Sequence, residues 1–165
     1  MDSLILSWLS YFRLPAPLLA EAPDLAGSRG APLATLLRAE HFDEMMGTSW
    51  DPEGSRDLLF AVCASPRFRD IRVALCRATS NEEREEQFAA ATFLLPDGAV
   101  YVAFRGTDST IVGWKEDFNM AFQCPVPAQV SAAAYLKRVA ETYPGALYVG
   151  GHSKGGNLAV YASIM

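Results

Sequence analysis

The chain has 165 residues, of which 50% are apolar and 20% are charged, and its formal net charge is −5. This length and composition are typical of one globular domain, residues 1–165, with a sizeable core, and they exclude a disordered chain. Because the acidic chain has no stripe of Lys and Arg, we expect neither nucleic acid nor acidic lipid surfaces as partners.

The N-terminus and the cysteines bear on cellular compartment. "MDSLILSWLSYF" lacks the basic start and the small-residue cleavage site of a signal peptide, and no run of 18 apolar residues occurs, so we expect no stable membrane insertion. Cys63, Cys76 and Cys124 are widely spaced and do not combine with clustered histidines. This pattern predicts no metal site and favours buried thiols in a reducing, cytoplasmic compartment.

Helical patterns dominate the first 64 residues. Apolar residues recur at helical spacing from Leu4 to Phe12, until "RLPAPL" breaks the pattern. Residues 21–32 are rich in Ala, Gly, Pro and Ser and predict a loop. "PLATLLRAEHFDEMM" then predicts a second helix over 32–46, and a third is predicted over 53–64.

The apolar period then changes from helical to strand-like. Strands are predicted over 71–78, 86–95 and 99–104, and "PDG" between the last two predicts an antiparallel hairpin. A long helix over 127–143, a short strand over 146–150 and a helix from residue 154 follow. This order is typical of a crossover unit, so we expect an α/β fold whose sheet is mostly parallel and flanked by helices.

A short motif near the end of the sequence resembles a nucleophile elbow. Residues 151–155 read "GHSKG" and match G-x-S-x-G between a predicted strand and a predicted helix, the context that this turn requires. In such a turn the serine is strained and its hydroxyl exposed, and the flanking glycines remove Cβ atoms that would collide. The motif therefore predicts Ser153 as a nucleophile.

Two backbone amides are candidates for an oxyanion hole. Lys154 begins the predicted helix, so its N–H lies where a tetrahedral oxyanion would form, whereas we expect its side chain to reach solvent. "FRGT" ends a predicted strand, and Thr107 in it can offer both its backbone N–H and its hydroxyl. We interpret Arg105 as a buried structural clamp rather than a catalytic group.

Alternatives to this interpretation stay open. A Gly/Ser-rich turn without a catalytic role also fits the elbow pattern, and an ordinary turn at a strand end also fits "FRGT". A phosphate-binding loop does not fit, because it requires G-x-x-x-x-G-K-[ST] and this sequence has Ser-Lys-Gly-Gly.

The two motifs together resemble a known superfamily. "AVYVAFRGT" and "YVGGHSKGGNLAVYAS" are similar to the α/β-hydrolases, in particular the class 3 (fungal-type) lipases. With "DSLILSWLSYF" and "FRGTDSTIVGWKEDFNM", nearly the whole chain resembles a bacterial lipase-like group of unknown function. The resemblance implies an α/β-hydrolase fold, Ser153 as nucleophile, and Thr107 and Lys154 as oxyanion donors. It also implies a lid over 108–118, although these residues fit a packed helix equally well.

A serine nucleophile also needs a general base. That base is normally a histidine held by a carboxylate, and in α/β-hydrolases both follow the serine along the chain. No acidic residue or histidine follows Ser153; His152 belongs to the elbow, and we expect His41 to be a solvated or locally hydrogen-bonded histidine. We therefore expect the N-terminal portion of a longer hydrolase, with a fold incomplete at the C-terminus and the triad Asp and His beyond Met165. Such a portion leaves one edge of the strand over 146–150 unpaired, which favours self-association.

Two functions follow from these expectations. The first is a serine hydrolase (esterase or lipase-like) acting on carboxylic esters, in particular acyl lipids, with no metal or organic cofactor. The chain as given, without the Asp and His of the triad, would then be inactive alone. The second is a non-catalytic lipase-like module that keeps the elbow for packing and binds a partner or an acyl ligand.

Overall fold

A computed structural model describes residues 2–47, 49–108 and 111–165. These residues form an α/β structure in which a five-stranded sheet has helices on both faces. The helices are α1 (Asp2–Leu9), α2 (Ala16–Glu21), α3 (Phe42–Met46), α4 (Pro52–Ala64), α5 (Ile111–Asn119), α6 (Pro127–Thr142) and α7 (Lys154–Ile164). The strands are β1 (Ala31–Pro32), β2 (Arg72–Asn81), β3 (Glu86–Leu94), β4 (Val100–Phe104) and β5 (Leu147–Gly151).

The sheet is mixed, so the expectation of a mostly parallel sheet was wrong. The strand order is β1-β2-β3-β4-β5, in which the first three pairings are antiparallel and β4 and β5 run parallel. Residues 82–85 join β2 to β3 and residues 95–99 join β3 to β4, and such short connections cannot make a parallel crossover. The predicted β3–β4 hairpin is confirmed, and β5 pairs with β4 alone in the described sheet.

Strand β4 lies between two apolar cores. Tyr101 and Ala103 belong to the core beneath the N-terminal helices, whereas Val100, Val102 and Phe104 belong to the core beneath α6 and α7. Alternate side chains of a strand point to opposite faces, so a strand covered on both faces is apolar throughout. The end of β4 therefore lies between the two layers of helices, in the middle of the molecule.

The N-terminal region differs most from the prediction. No single helix spans 32–46, because Pro32 is extended (φ −52°, ψ 143°) and pairs with Arg72 of β2. Two short 3-10 turns, Leu33–Leu36 and Ala39–His41, then precede α3. Helix α1 also ends at Leu9, earlier than predicted, and α2 was not predicted at all.

From α4 onward the predicted helices and strands agree with the structure to within about three residues. None of the helices in the described parts of the chain has the length and apolarity needed to cross a bilayer.

Candidate active site

Ser153 lies in the turn between β5 and α7. Its backbone angles are φ 55° and ψ −126°, and the residue is exposed. A positive φ is uncommon for a residue with a Cβ atom and costs about 1–3 kcal/mol. The strained, exposed serine expected of a nucleophile elbow is therefore present.

The glycines on either side of Ser153 allow β4, β5 and α7 to approach one another closely. A Cβ atom on Gly155 would collide with the carbonyl oxygen of Phe104, and one on Gly151 would lie 2.6 Å from the same oxygen. Phe104 and Gly151 are register partners in the parallel β4–β5 pair. The last residue of β4 is thus packed directly against the elbow.

The loop that follows β4 contacts the elbow. A Cβ atom on Gly106 would lie 2.5 Å from the carbonyl oxygen of His152 and 3.3 Å from the Cβ atom of Ser153. The next residue, Thr107, is buried, and its hydroxyl donates a hydrogen bond to Oδ2 of Asp117 on α5. Because the hydroxyl is committed to Asp117, the backbone N–H is the group that Thr107 can offer an oxyanion.

Lys154 contributes its amide at the start of α7. Amides in the first turn of a helix have no intrahelical acceptor and lie at the positive end of the helix dipole. The next two amides, of Gly155 and Gly156, donate to the carbonyl oxygens of His152 and Ser153, both at 2.9 Å. The Lys154 amide is therefore the first N–H of α7 and lies immediately next to Ser153.

The Lys154 side chain is buried, so the prediction that it reaches solvent was wrong. Its ammonium group lies 2.8 Å from the backbone oxygen and 2.8 Å from Oε1 of Gln87, and 2.9 Å from Oε2 of Glu116. Three acceptors match the three N–H donors of an ammonium group, and Glu116 neutralises its charge. This complete shell of acceptors explains how a lysine is buried next to Ser153.

Glu116 connects four elements around the elbow. Besides accepting from Lys154 on α7, its Oε2 accepts from the Gln87 amide on β3 at 3.0 Å, and its Oε1 accepts from the Ala128 amide on α6 at 2.8 Å. The side chain is fully buried. Helix α5 is therefore packed against its neighbours through Glu116. Of the two interpretations of this segment, a lid or a packed helix, these contacts favour the packed helix for Ile111–Asn119. Ser109 and Thr110 of the same stretch lie outside the described residues.

Tyr11 and His152 form a polar pair at the edge of the site. The Tyr11 hydroxyl lies 3.0 Å from Nδ1 of His152 and accepts a hydrogen bond from the Gly106 backbone. Burial raises the pKa of Tyr11, and the backbone hydrogen bond from Gly106 opposes that shift. His152 Nδ1 is therefore engaged with Tyr11 rather than with Ser153.

Arg105 is buried, as predicted for a structural clamp. Its guanidinium lies 3.7 Å from Oδ2 of Asp108, which also accepts from Arg13 at 2.7 Å. The Arg13–Asp108 pair ties the loop after β4 to the segment that follows α1. The Arg105–Asp108 pair lies within this loop and braces the turn that carries Thr107.

One cluster in the described residues has donor atoms close enough to hold a metal ion. The ligand atoms of Glu21, Glu40 and His41 lie within 4.8 Å of one another. The Arg38 guanidinium lies 3.6 Å from Glu21 and 3.8 Å from Glu40, so a cation already balances these carboxylates. The cluster involves neither Ser153 nor the residues that contact it.

Several residues of the site are not indicated by the sequence pattern. Tyr11, Gln87, Glu116 and Asp117 all hold the elbow or the loop after β4. Three of them lie in stretches that resemble the lipase-like group, but the sequence assigns a role to none of the four. The bonds from Tyr11 and Glu116 to the elbow span 141 and 38 residues of sequence. The polar Glu116 and Asp117 in an otherwise amphipathic helix are the one local signal, and it equally fits a solvated face.

The family described as Mbeg1-like matches residues 62–165, which include the end of β4, its following loop and the whole elbow. No curated protein and no solved structure matches the chain. The match covers well over half of the sequence, so this chain belongs to the Mbeg1-like family.

Proposed function

We propose that this protein is a serine hydrolase of carboxylic esters with apolar acyl groups, such as acyl lipids. The observation that carries the proposal is the positive φ of Ser153, which is exposed in the turn between β5 and α7. The loop containing Gly106 packs against this turn. A serine held in strain by its surroundings is typical of functional sites.

In the proposed reaction, Oγ of Ser153 attacks the ester carbonyl carbon while a base removes the hydroxyl proton. The carbonyl oxygen becomes an oxyanion, which the amides of Thr107 and Lys154 stabilise together with the N-terminal end of α7. The alkoxide leaves with a proton, and water then hydrolyses the acyl-serine by the reverse route. No step of this scheme requires a metal ion or an organic cofactor.

The proposed fold is that of an α/β-hydrolase, in which the elbow follows a parallel strand. The parallel β4–β5 pair and the elbow that leads into α7 support it. The antiparallel β1–β3 region then forms one side of a mixed sheet.

The general base belongs, in this proposal, to residues other than those described. Within the described residues no histidine or carboxylate forms a hydrogen bond with the Ser153 hydroxyl, and Nδ1 of His152 is hydrogen-bonded to Tyr11 instead. A base contributes about 10²- to 10⁴-fold to such reactions. We therefore expect negligible ester turnover from these residues alone.

Reaction with a fluorophosphonate tests the nucleophile without requiring turnover. The Ser153 Oγ–P bond forms, the P–F bond breaks with loss of fluoride, and a base takes the proton. We expect slow labelling, accelerated at least about tenfold when imidazole supplies the base, with mass spectrometry locating the adduct on Ser153. Ser153→Ala removes the labelled atom, and Ser163→Ala is a matched control on α7.

The second candidate function is a non-catalytic lipase-like module. The lack of a base on Ser153 among the described residues favours it. Labelling that imidazole does not accelerate, or that persists in Ser153→Ala, would refute the hydrolase and leave the module. Multiple turnover of a nitrophenyl ester that Ser153→Ala abolishes would instead refute the placement of the base.

A further inference from the structure

An apolar groove lies beside the elbow, between α1 and residues 49–51. It has a volume of about 460 Å³ and is lined by Leu4, Trp8 and Trp50, with Tyr11 and His152 at the elbow end. We propose that this groove binds the acyl chain of the ester substrate. The inference deepens the proposed function and rests on it for the identity of the ligand as an ester.

The groove exposes large apolar side chains. The exposed fractions are 63% for Leu4, 39% for Trp8 and 74% for Trp50. Leaving such a group of side chains in water is unfavourable, and contiguous apolar surface of this kind marks ligand-binding grooves. An apolar ligand would remove these surfaces from water.

Three of the polar side-chain atoms around the groove already have hydrogen-bond partners within the protein. The Trp8 indole donates to Ser55 Oγ at 3.1 Å, and Ser49 Oγ lies 3.2 Å from the same oxygen. Asp51 Oδ1 accepts from the Gly54 amide at 2.9 Å, which caps α4. The walls therefore offer a ligand mainly apolar contact, which suits a hydrocarbon chain better than a sugar or a nucleotide.

The groove reaches the elbow. Tyr11 and His152 both line it, and His152 immediately precedes Ser153. The Tyr11 hydroxyl also contacts the Gly106 backbone, and a Cβ atom on Gly106 would lie 3.3 Å from the Ser153 Cβ. A chain lying along Trp8 and Trp50 therefore brings its carbonyl end toward the serine.

The volume of the groove is large enough for a hydrocarbon chain. A cavity of about 150 Å³ accommodates benzene, so an open groove of about three times that volume has room for an acyl chain of at least roughly eight carbons. Because the groove is open to solvent, a longer chain could extend beyond it, but its added carbons would gain little.

Labelling rates with two fluorophosphonates test the groove. We expect an octyl probe to label Ser153 at least about tenfold faster than an ethyl probe, both with imidazole and below the micellar concentration. Trp50→Ala should reduce this ratio at least about threefold, because part of the apolar wall is lost. Trp114→Ala removes another exposed indole, on α5 away from the groove, and should leave the ratio unchanged.

Binding to the Ser153→Ala variant separates the groove from the chemistry. We expect methyl octanoate to change the tryptophan fluorescence of this variant saturably, and the additional Trp50→Ala change to weaken binding at least about threefold. Binding of methyl octanoate without any fluorophosphonate labelling of Ser153 in the natural protein would refute the hydrolase proposal, while the groove proposal would stand. Labelling that is independent of chain length, with no binding of methyl octanoate, would overturn the groove and leave the hydrolase.

Discussion

At the scale of single residues, Ser153 keeps its positive φ because its neighbours fix the backbone on both sides. Gly151 is paired with Phe104 in the sheet, and the amides of Gly155 and Gly156 bond to the carbonyl oxygens of His152 and Ser153. Each contact would be lost if the turn relaxed to a negative φ. The strain is thus balanced by the pairing of β5 and the first turn of α7.

Replacing Ser153 with glycine should stabilise the protein relative to alanine. Glycine adopts φ 55° without a steric cost, whereas alanine keeps the Cβ atom and both variants lack the hydroxyl. We expect the free energy of unfolding of Ser153→Gly to exceed that of Ser153→Ala by about 1 kcal/mol, measured by urea unfolding. Equal stability, or a more stable alanine variant, would show that the turn is not strained.

At the scale of elements, the buried Lys154–Glu116 pair connects α5 to α7. The side chains of both residues are at most 1% exposed, and their partners extend the network to β3 and α6. A buried ion pair contributes little net stability compared with apolar packing, but removing one partner leaves an uncompensated charge. The pair therefore makes the position of α5 and the first turn of α7 depend on each other.

A double-mutant cycle tests this dependence. We expect Lys154→Met and Glu116→Gln each to lower the free energy of unfolding by about 3–5 kcal/mol, because each leaves polar or charged groups unpaired. The double variant should lose less than the sum of the two, with a coupling of at least about 1 kcal/mol by urea unfolding. Single variants that unfold while the double variant folds would agree with this expectation, whereas additive losses would contradict it.

The elements that sequence could predict are those defined by local signals. The β3–β4 hairpin has "PDG" in its turn, and α6 has Pro127 at its start, so both were located closely. The β2–β3 connection has no Gly or Pro and uses Glu85 at φ 49°, so the antiparallel pairing was not recognised. Pro32 joins a strand because of distant pairing with Arg72, which no local pattern indicates.

The candidate site divides in the same way between local and distant signals. The elbow is one contiguous motif and could be predicted together with the conformation of Ser153. The burial of the Lys154 side chain could not be predicted, because its partners Gln87 and Glu116 are 67 and 38 residues away in the sequence. Side-chain burial of a charged residue depends on whether distant acceptors converge on it, and only the fold determines that.

At the scale of the whole molecule, Tyr135 of α6 joins the helix layer to the sheet. Its ring packs against Phe88 and Phe104, with centroids 6.1 Å or less apart. Its hydroxyl lies 2.7 Å from Thr92 Oγ1 and donates to the Leu75 carbonyl oxygen at 3.0 Å. A single phenol thus links α6 with β2, β3 and β4 inside the core.

This phenol should make the protein sensitive to alkaline pH. Burial raises the pKa of Tyr135 above its usual value near 10, so its contribution to stability is complete below pH 10 and is lost as pH rises toward the folded-state pKa. In that range the unfolded state releases the proton and the folded state keeps it. The free energy of unfolding should therefore fall by about 1.4 kcal/mol per pH unit from this one group.

Comparison with phenylalanine variants isolates the contribution of Tyr135. The stability advantage of the natural protein over Tyr135→Phe, measured by urea unfolding, should shrink by about 1.4 kcal/mol per pH unit above pH 10. Tyr148→Phe removes a phenol that is 57% exposed and should leave the pH dependence unchanged. The thiols of Cys63 and Cys76 have pKa values raised by burial to about 11 and about 12. Because Cys76 interacts electrostatically with Tyr135, the comparison is made between about pH 10 and 11, where the Cys76 thiol keeps its proton. A constant difference between the natural protein and Tyr135→Phe would mean that Tyr135 ionises as readily in the folded state as in the unfolded chain.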